Sequence, residues 1–289
     1  MRALAVAVCA VLLASGWTSA RGTGHLGAPA WSRDGKSIAW AEGVGPEARI
    51  WIAAPDLKHA HPVSPAIDAL GQIAWLPGER LLYWANFRLF LLKTAGRSSL
   101  FASVPGADFA VNRGGTKVAT GDGPCSLGCY GPVLIFDLHG GPTRRVGGKN
   151  VQNMSPTFSP DGTRVAFHRI FCEQTGRCEQ PAGIWIASIA SGKLRRLTSG
   201  NQACPSWSPD GRAIAYIDLA DITDEPLRVV SSRGGASTLV AHDAGCDLSF
   251  PPAWSPDSRS VAFVSRTTGQ LMIVTAISHR SRAVTGIGG

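Results

Sequence analysis

Four stretches of this chain can be laid over one another almost unchanged. Pro29 to Trp40, Pro156 to Phe167, Pro205 to Tyr216 and Pro252 to Phe263 each run Pro, any residue, Trp or Phe, Ser, any residue, Asp, Gly or Ser, two variable residues, Ile or Val, Ala, aromatic. Two degenerate copies, around Trp75 and around Val111, fill the gap between the first and second. The anchors Trp31, Trp75, Val111, Phe158, Trp207 and Trp254 then succeed one another at intervals of 36 to 49 residues. A period in that range marks a supersecondary unit that cannot bury its own apolar face and must stack on copies of itself.

The repeat also carries its local structure. Ser-Pro-Asp-Gly presets φ at the proline, offers a side-chain acceptor at the aspartate and supplies φ > 0 at the glycine, which makes a hairpin turn. The Ile-Ala-Trp or Val-Ala-Phe after it alternates as a strand does. A third apolar strand recurs in every copy, from Ile50-Trp51-Ile52 to Met272-Ile273-Val274, and a short fourth such as Leu194 to Thr198 closes most of them. The expected fold is therefore all-β, a six-bladed β-propeller of four-stranded antiparallel blades, at about 25–64, 65–103, 104–149, 150–200, 201–245 and 246–289. The repeated aromatics read as packing between blades rather than a sugar platform. Asp34, Asp161, Asp210 and Asp257 read as turn formers before metal ligands.

The W-S-P-D-G-x-x-I-A-F pattern, with its apolar strand and short R-R-L-T strand, resembles the TolB-type propeller repeat. The resemblance covers residues 21–289 and implies the fold; similar repeats occur in propeller domains of some serine peptidases and of oligogalacturonate lyases, so it implies no single function. Three departures stand out. The α/β domain that precedes the propeller in TolB is expected to be missing, since the first repeat starts about ten residues after the expected cleavage site. The G-x-S-x-G elbow of the peptidase relatives does not occur. No strand is visibly shared between first and last blades, so ring closure is expected from blade packing, with help from the neighbourhood of a Cys204–Cys246 link.

Residues 1–20 carry Arg2, an apolar stretch from Ala3 to Ala14 and the small-residue run to Ala20, a secretory signal peptide pattern cut after Ala20. The stretch is too short to span a bilayer, and no later one is longer. The chain is expected to be exported, periplasmic or extracellular, and monomeric. Its formal charge of +8 is scattered rather than clustered, which excludes a nucleic-acid surface and leaves anionic envelope polymer as one partner class, beside an unidentified protein. Outside the signal peptide the six cysteines favour disulfides. Cys125 with Cys129 and Cys172 with Cys178 are local pairs, and Cys204 with Cys246 remains.

One polar residue precedes each anchor: His25, Asp68, Asp108, Asn153, Gln202 and Asp247. In a propeller these positions ring one mouth of the central channel and form the candidate ligand site. Their oxygens would suit Ca²⁺ or Mn²⁺, although no cofactor is required, and the competing reading has each side chain capping the turn into its strand. Histidines do not gather at the channel; His168, ending a second strand beside Arg169, reads as a surface residue. No catalytic residue can be assigned. The expected function is an exported, non-enzymatic binding or scaffold propeller acting through rim loops, chiefly residues 121–132 and 170–182. The rival expectations are a metal-dependent enzyme acting on acidic glycans at the channel mouth and a TolB-like envelope-integrity component.

Overall fold

Each copy of the repeat folds as four antiparallel strands paired in chain order, and six such sheets stand around one axis. The structure is a computed structural model that describes residues 27–92, 97–104, 106, 108–121, 131–148, 151–170, 182–220, 223–246, 251–276 and 281–282. The expected signal peptide, His25, Asp247, Cys125, Cys129, Cys172 and Cys178 lie outside them. Inner strands are Ala30–Trp31, Leu70–Leu76, Phe109–Val111, Gln152–Phe158, Gln202–Trp207 and Ala253–Trp254. Second strands are Ile38–Glu42, Arg80–Ala85, Lys117–Gly121, Arg164–Ile170, Ala213–Asp218 and Ser260–Val264. Third and outer strands complete each blade, ending at Ser281–Arg282. Among the described residues the one helical element is a 3-10 turn at Gly45–Glu47, and no helix is long and apolar enough to cross a membrane.

The second strand explains why the blades stack. Because its side chains alternate between faces, Ile38 and Trp40 face blade 6 while Ala39, between them, faces blade 2. Blade 4 repeats this, with Val165 and Phe167 toward blade 3 and Ala166 toward blade 5. Blade 5 does so with Ile214, Tyr216 and Ala215, and blade 6 with Val261, Phe263 and Ala262. A large face therefore meets a small face at each of these seams. The six apolar clusters are the six seams between successive blades, and the sixth, Ile38 and Trp40 against Ala262 and Leu271, closes the ring. Closure rests on packing; the Cys204–Cys246 disulfide, with Cα atoms 6.2 Å apart, joins blade 5 to the segment leading into blade 6 and lies outside the closing seam.

The turns between first and second strands form a polar lattice on one face of the disc. Ser37, Arg164, Ala213 and Ser260 donate their backbone N–H to Ser32, Ser159, Ser208 and Ser255 Oγ, respectively, at 2.9 to 3.0 Å. Each of those hydroxyls donates onward to the aspartate two residues later. The degenerate third copy substitutes one asparagine, Asn112, whose Oδ1 accepts from both Thr116 and Lys117 at 2.8 Å. Gly211 at φ 75° turns the chain, and a Cβ there would lie 3.7 Å from Pro160 of the preceding blade. A Cβ at Gly35 would likewise lie 3.6 Å from Pro256 across the closing seam.

Ser208 is 1% exposed and holds the turn and strand together. Ser208→Ala leaves the Ala213 N–H without its acceptor, and a loss of about 1 to 2 kcal/mol is expected by chemical denaturation. An unchanged midpoint would show that the turn lattice contributes nothing to stability.

Candidate functional site

The innermost strand of each blade is a sheet edge, so its channel-facing N–H and C=O groups need partners from outside the sheet. At the mouth opposite the Ser-Asp turns, polar side chains supply them. Gln72 of blade 2 accepts the Phe109 N–H of blade 3 at 2.9 Å. Asp108 of blade 3 accepts the Gly121 N–H at 3.2 Å and, through its other oxygen, the Ser155 N–H of blade 4. Ser155 is presented this way because the inner strand bulges before Pro156, with Ser155 at φ 50°. Blade 5 bulges at the equivalent place with Cys204 at φ 53°, and there the reach to the next blade is the disulfide to Cys246.

Asn153 extends the belt. Its Nδ2 donates to Gly131 O at 2.6 Å, and its Oδ1 accepts from Arg169 Nε at 2.9 Å. The Arg169 guanidinium also donates to Gly147 O and lies 4.5 Å over the Trp185 ring. Burial lowers the Arg169 pKa to about 10 and raises that of Asp108 against the two backbone N–H bonds it receives. Anchor tryptophans work on the same edges, with Trp75 Nε1 donating to Ala30 O at 2.9 Å and Trp254 Nε1 to Ser206 O at 3.0 Å. Their apolar bodies fill seams while their polar tips tie one inner strand to the next.

The predicted ring of polar residues is thus placed in two ways. Asp68 is exposed in a turn outside this belt, and Asp108, Asn153 and Gln202 are buried. Asp108 and Asn153 come together through Gly121, where a Cβ would lie 3.3 Å from Asp108 Oδ1 and 3.2 Å from Asn153 O. Gln202 lies apart, facing the seam between blades 4 and 5. The offset rule passes over Gln72, which stands three residues before Trp75 as Asp108 stands three before Val111; the degenerate second copy bulges between Leu70 and Ile73 without the Pro that follows the bulges of blades 4 and 5. Among the described residues no group of three or more His, Cys, Asp or Glu could hold a metal ion.

His168 corrects the expectation of a surface residue. It is 1% exposed, shares a face with Ala166 toward blade 5, and neither ring nitrogen has a hydrogen-bond partner among the described residues. Burial pushes its pKa down to about 4. The unfolded chain takes up that proton near 6.5 and the folded chain does not, so stability is complete above pH 6.5 and declines as pH falls toward 4. Between pH 7 and pH 5 wild type should lose about 2 kcal/mol more than His168→Leu. Parallel stability–pH curves for the two proteins would contradict this.

No family model matches the chain. Curated relatives match over short segments: the uncharacterized peptidase YuxL of Bacillus subtilis is 33% identical over 82 residues, 28% of this chain. The Tol-Pal system protein TolB of Alcanivorax borkumensis is 39% identical over 64 residues, 22% of this chain. Those segments span 12% and 13% of the relatives' own lengths. Among solved structures, TolB from Acinetobacter baumannii superposes with a TM-score of 0.67 at 17% identity, over 92% of this chain and 64% of that one.

Proposed function

From a chain built of TolB-type propeller repeats, we propose an exported binding propeller that recognises a protein partner in the cell envelope through one face and carries out no chemistry of its own. The observation that carries this reading is where exposed apolar side chains stand. Of the three large apolar side chains exposed among the described residues, Val44 at 59% and Phe87 at 48% project from connections between second and third strands, in adjacent blades 1 and 2, and Leu100 at 57% stands on the outer strand Ser98–Ser103 of blade 2. The alternating strand directions put both connections on the face opposite the Ser-Asp turns.

Phe87 sits at φ 59°, next to Asn86 at φ 49°, in a two-residue turn where glycine costs least. An aromatic held there at a backbone cost of about 1 kcal/mol is a reason to look for function. Its ring meets Trp84 edge-on at 5.4 Å, which fixes its direction. Exposed, pre-oriented aromatics are the side chains that anchor protein interfaces. The belt of Gln72, Asp108 and Asn153 supports the face from below, so little ordering is needed on binding. Glycan chemistry at a metal in the channel mouth is disfavoured because Asp108 and Asn153 Oδ1 are already occupied by N–H groups of the protein.

A photo-cross-linking residue placed at position 87 should yield discrete protein adducts in the native envelope, and one at Lys36 on the turn face should not. Phe87→Ser should weaken recovery of the same adduct partner about tenfold. Equal labelling from both faces, or an adduct insensitive to Phe87→Ser, would overturn the proposal.

A further inference from the structure

Positive charge that is scattered along the chain gathers on one side of the ring. No outer strand carries a carboxylate among the described residues, and the outer strands of blades 3 and 4 read Arg144-Arg145-Val146 and Leu194-Arg195-Arg196. The hairpins that lead into outer strands add Lys193 in blade 4 and Arg233 in blade 5. Arg144, Arg145, Lys193 and Arg233 are exposed, and none makes an ion pair or donates a side-chain hydrogen bond among the described residues.

The described carboxylates of blades 3 and 4 do not answer them. Asp108 is buried at the channel mouth, Asp137 is engaged by Lys117 at 3.1 Å, and Asp161 accepts from Ser159 Oγ and from the Thr163 N–H at 3.0 Å. Arg195 instead draws the cations together. Crossing the seam, its guanidinium donates to Ser232 O at 2.7 Å and to Arg233 O at 3.3 Å, which fixes the blade 5 hairpin beside the blade 4 outer strand. Like charges held together repel, and an anion from outside removes that cost.

These cations lie along the rim of successive blades rather than around a cavity, which suits charge repeated along a chain. The large exposed apolar side chains among the described residues, Val44, Phe87 and Leu100, all stand in blades 1 and 2. The described rim of blades 3 to 5 therefore has no apolar anchor for a bilayer or for the core of a protein interface, and its convex edge meets a flat membrane at few points. We propose that this rim binds a linear polyanion, a polysaccharide or polyol chain carrying a carboxylate or a phosphate on each repeating unit. Binding runs through exposed side chains and is screened by salt. It uses no group of the Val44 and Phe87 face, so either reading can fail without the other.

Titration of the protein against labelled alginate, labelled inorganic polyphosphate and neutral labelled dextran, followed by fluorescence anisotropy, tests it. Saturable binding of at least one polyanion and none of dextran is expected at about 50 mM salt, weakening at least about tenfold at about 300 mM. The polyanion that binds tighter identifies the anionic group. Arg144→Glu with Arg145→Glu, and separately Lys193→Glu with Arg233→Glu, should each weaken binding at least about tenfold. Lys36→Glu with Lys58→Glu makes the same change in net charge on blade 1, across the ring from blade 4, and should weaken it less than about twofold. All of these side chains are exposed, so each variant is expected to keep the wild-type melting temperature. Equal losses in the rim and blade 1 variants, dextran bound as tightly as the polyanions, or no saturable polyanion binding would overturn the site. Phosphatidylglycerol vesicles that bind more tightly than either polymer, and lose the protein in the same rim variants, would overturn it in favour of a membrane surface.

Discussion

The fold depends on one asymmetry, a second strand that is large on one face and small on the other. Ala39, Ala166, Ala215 and Ala262 are all 0% exposed, and each receives an anchor aromatic of the next blade around the ring. A larger residue at any of them would push two blades apart across a close-packed seam, and interiors at crystal-like density absorb such changes poorly. The same asymmetry gives the ring its direction. Blades built this way offer the large face backward and the small face forward, so the last blade has the surface that the first requires, and the ring closes without a shared strand.

Stacking leaves a second problem, which the polar residues solve. Six inner strands present unpaired edges to the axis. Gln72, Asp108 and the indoles of Trp75 and Trp254 answer these edges by crossing from one blade to its neighbour, and Asn153 ties Arg169 into the same belt. The closing seam is the one where this is weakest, since Trp31 Nε1 is buried with no hydrogen-bond partner among the described residues. Apolar contact of Ile38, Trp40 and Trp31 with Ala262 and Leu271 holds that seam. Among the described residues the polar mouth of the channel is therefore mainly architecture.

Much of this is legible in the sequence because it is repeated. The turn chemistry of Ser32, Ser159, Ser208 and Ser255, the alternation of Ile-Ala-aromatic and the count of six blades all come from residue types at fixed offsets. The polar ring is harder to read. Offset from an anchor places Asp108 and Asn153 at the mouth, but a bulge before Pro156 or Pro205 rotates the residues beyond it, and only the three-dimensional register shows which neighbour each side chain meets. Asp68 and Gln72 exchange roles because the second copy bulges between Leu70 and Ile73 with no proline to mark it. His168 reads as exposed from its place at a strand end, whereas blade 5 covers it.

The central claim, that buried polar groups at the mouth tie blades together rather than await a ligand, is tested most directly by thermal and chemical unfolding of Asp108→Ala. Ligand-site carboxylates are commonly held at a cost to stability, so removing one stabilises the fold. The Asp108 carboxylate instead receives the Ser155 and Gly121 N–H groups, and its removal should destabilise the protein by about 2 to 4 kcal/mol. A variant as stable as wild type, or more stable, would contradict the claim and return Asp108 to the candidate ligands of the channel.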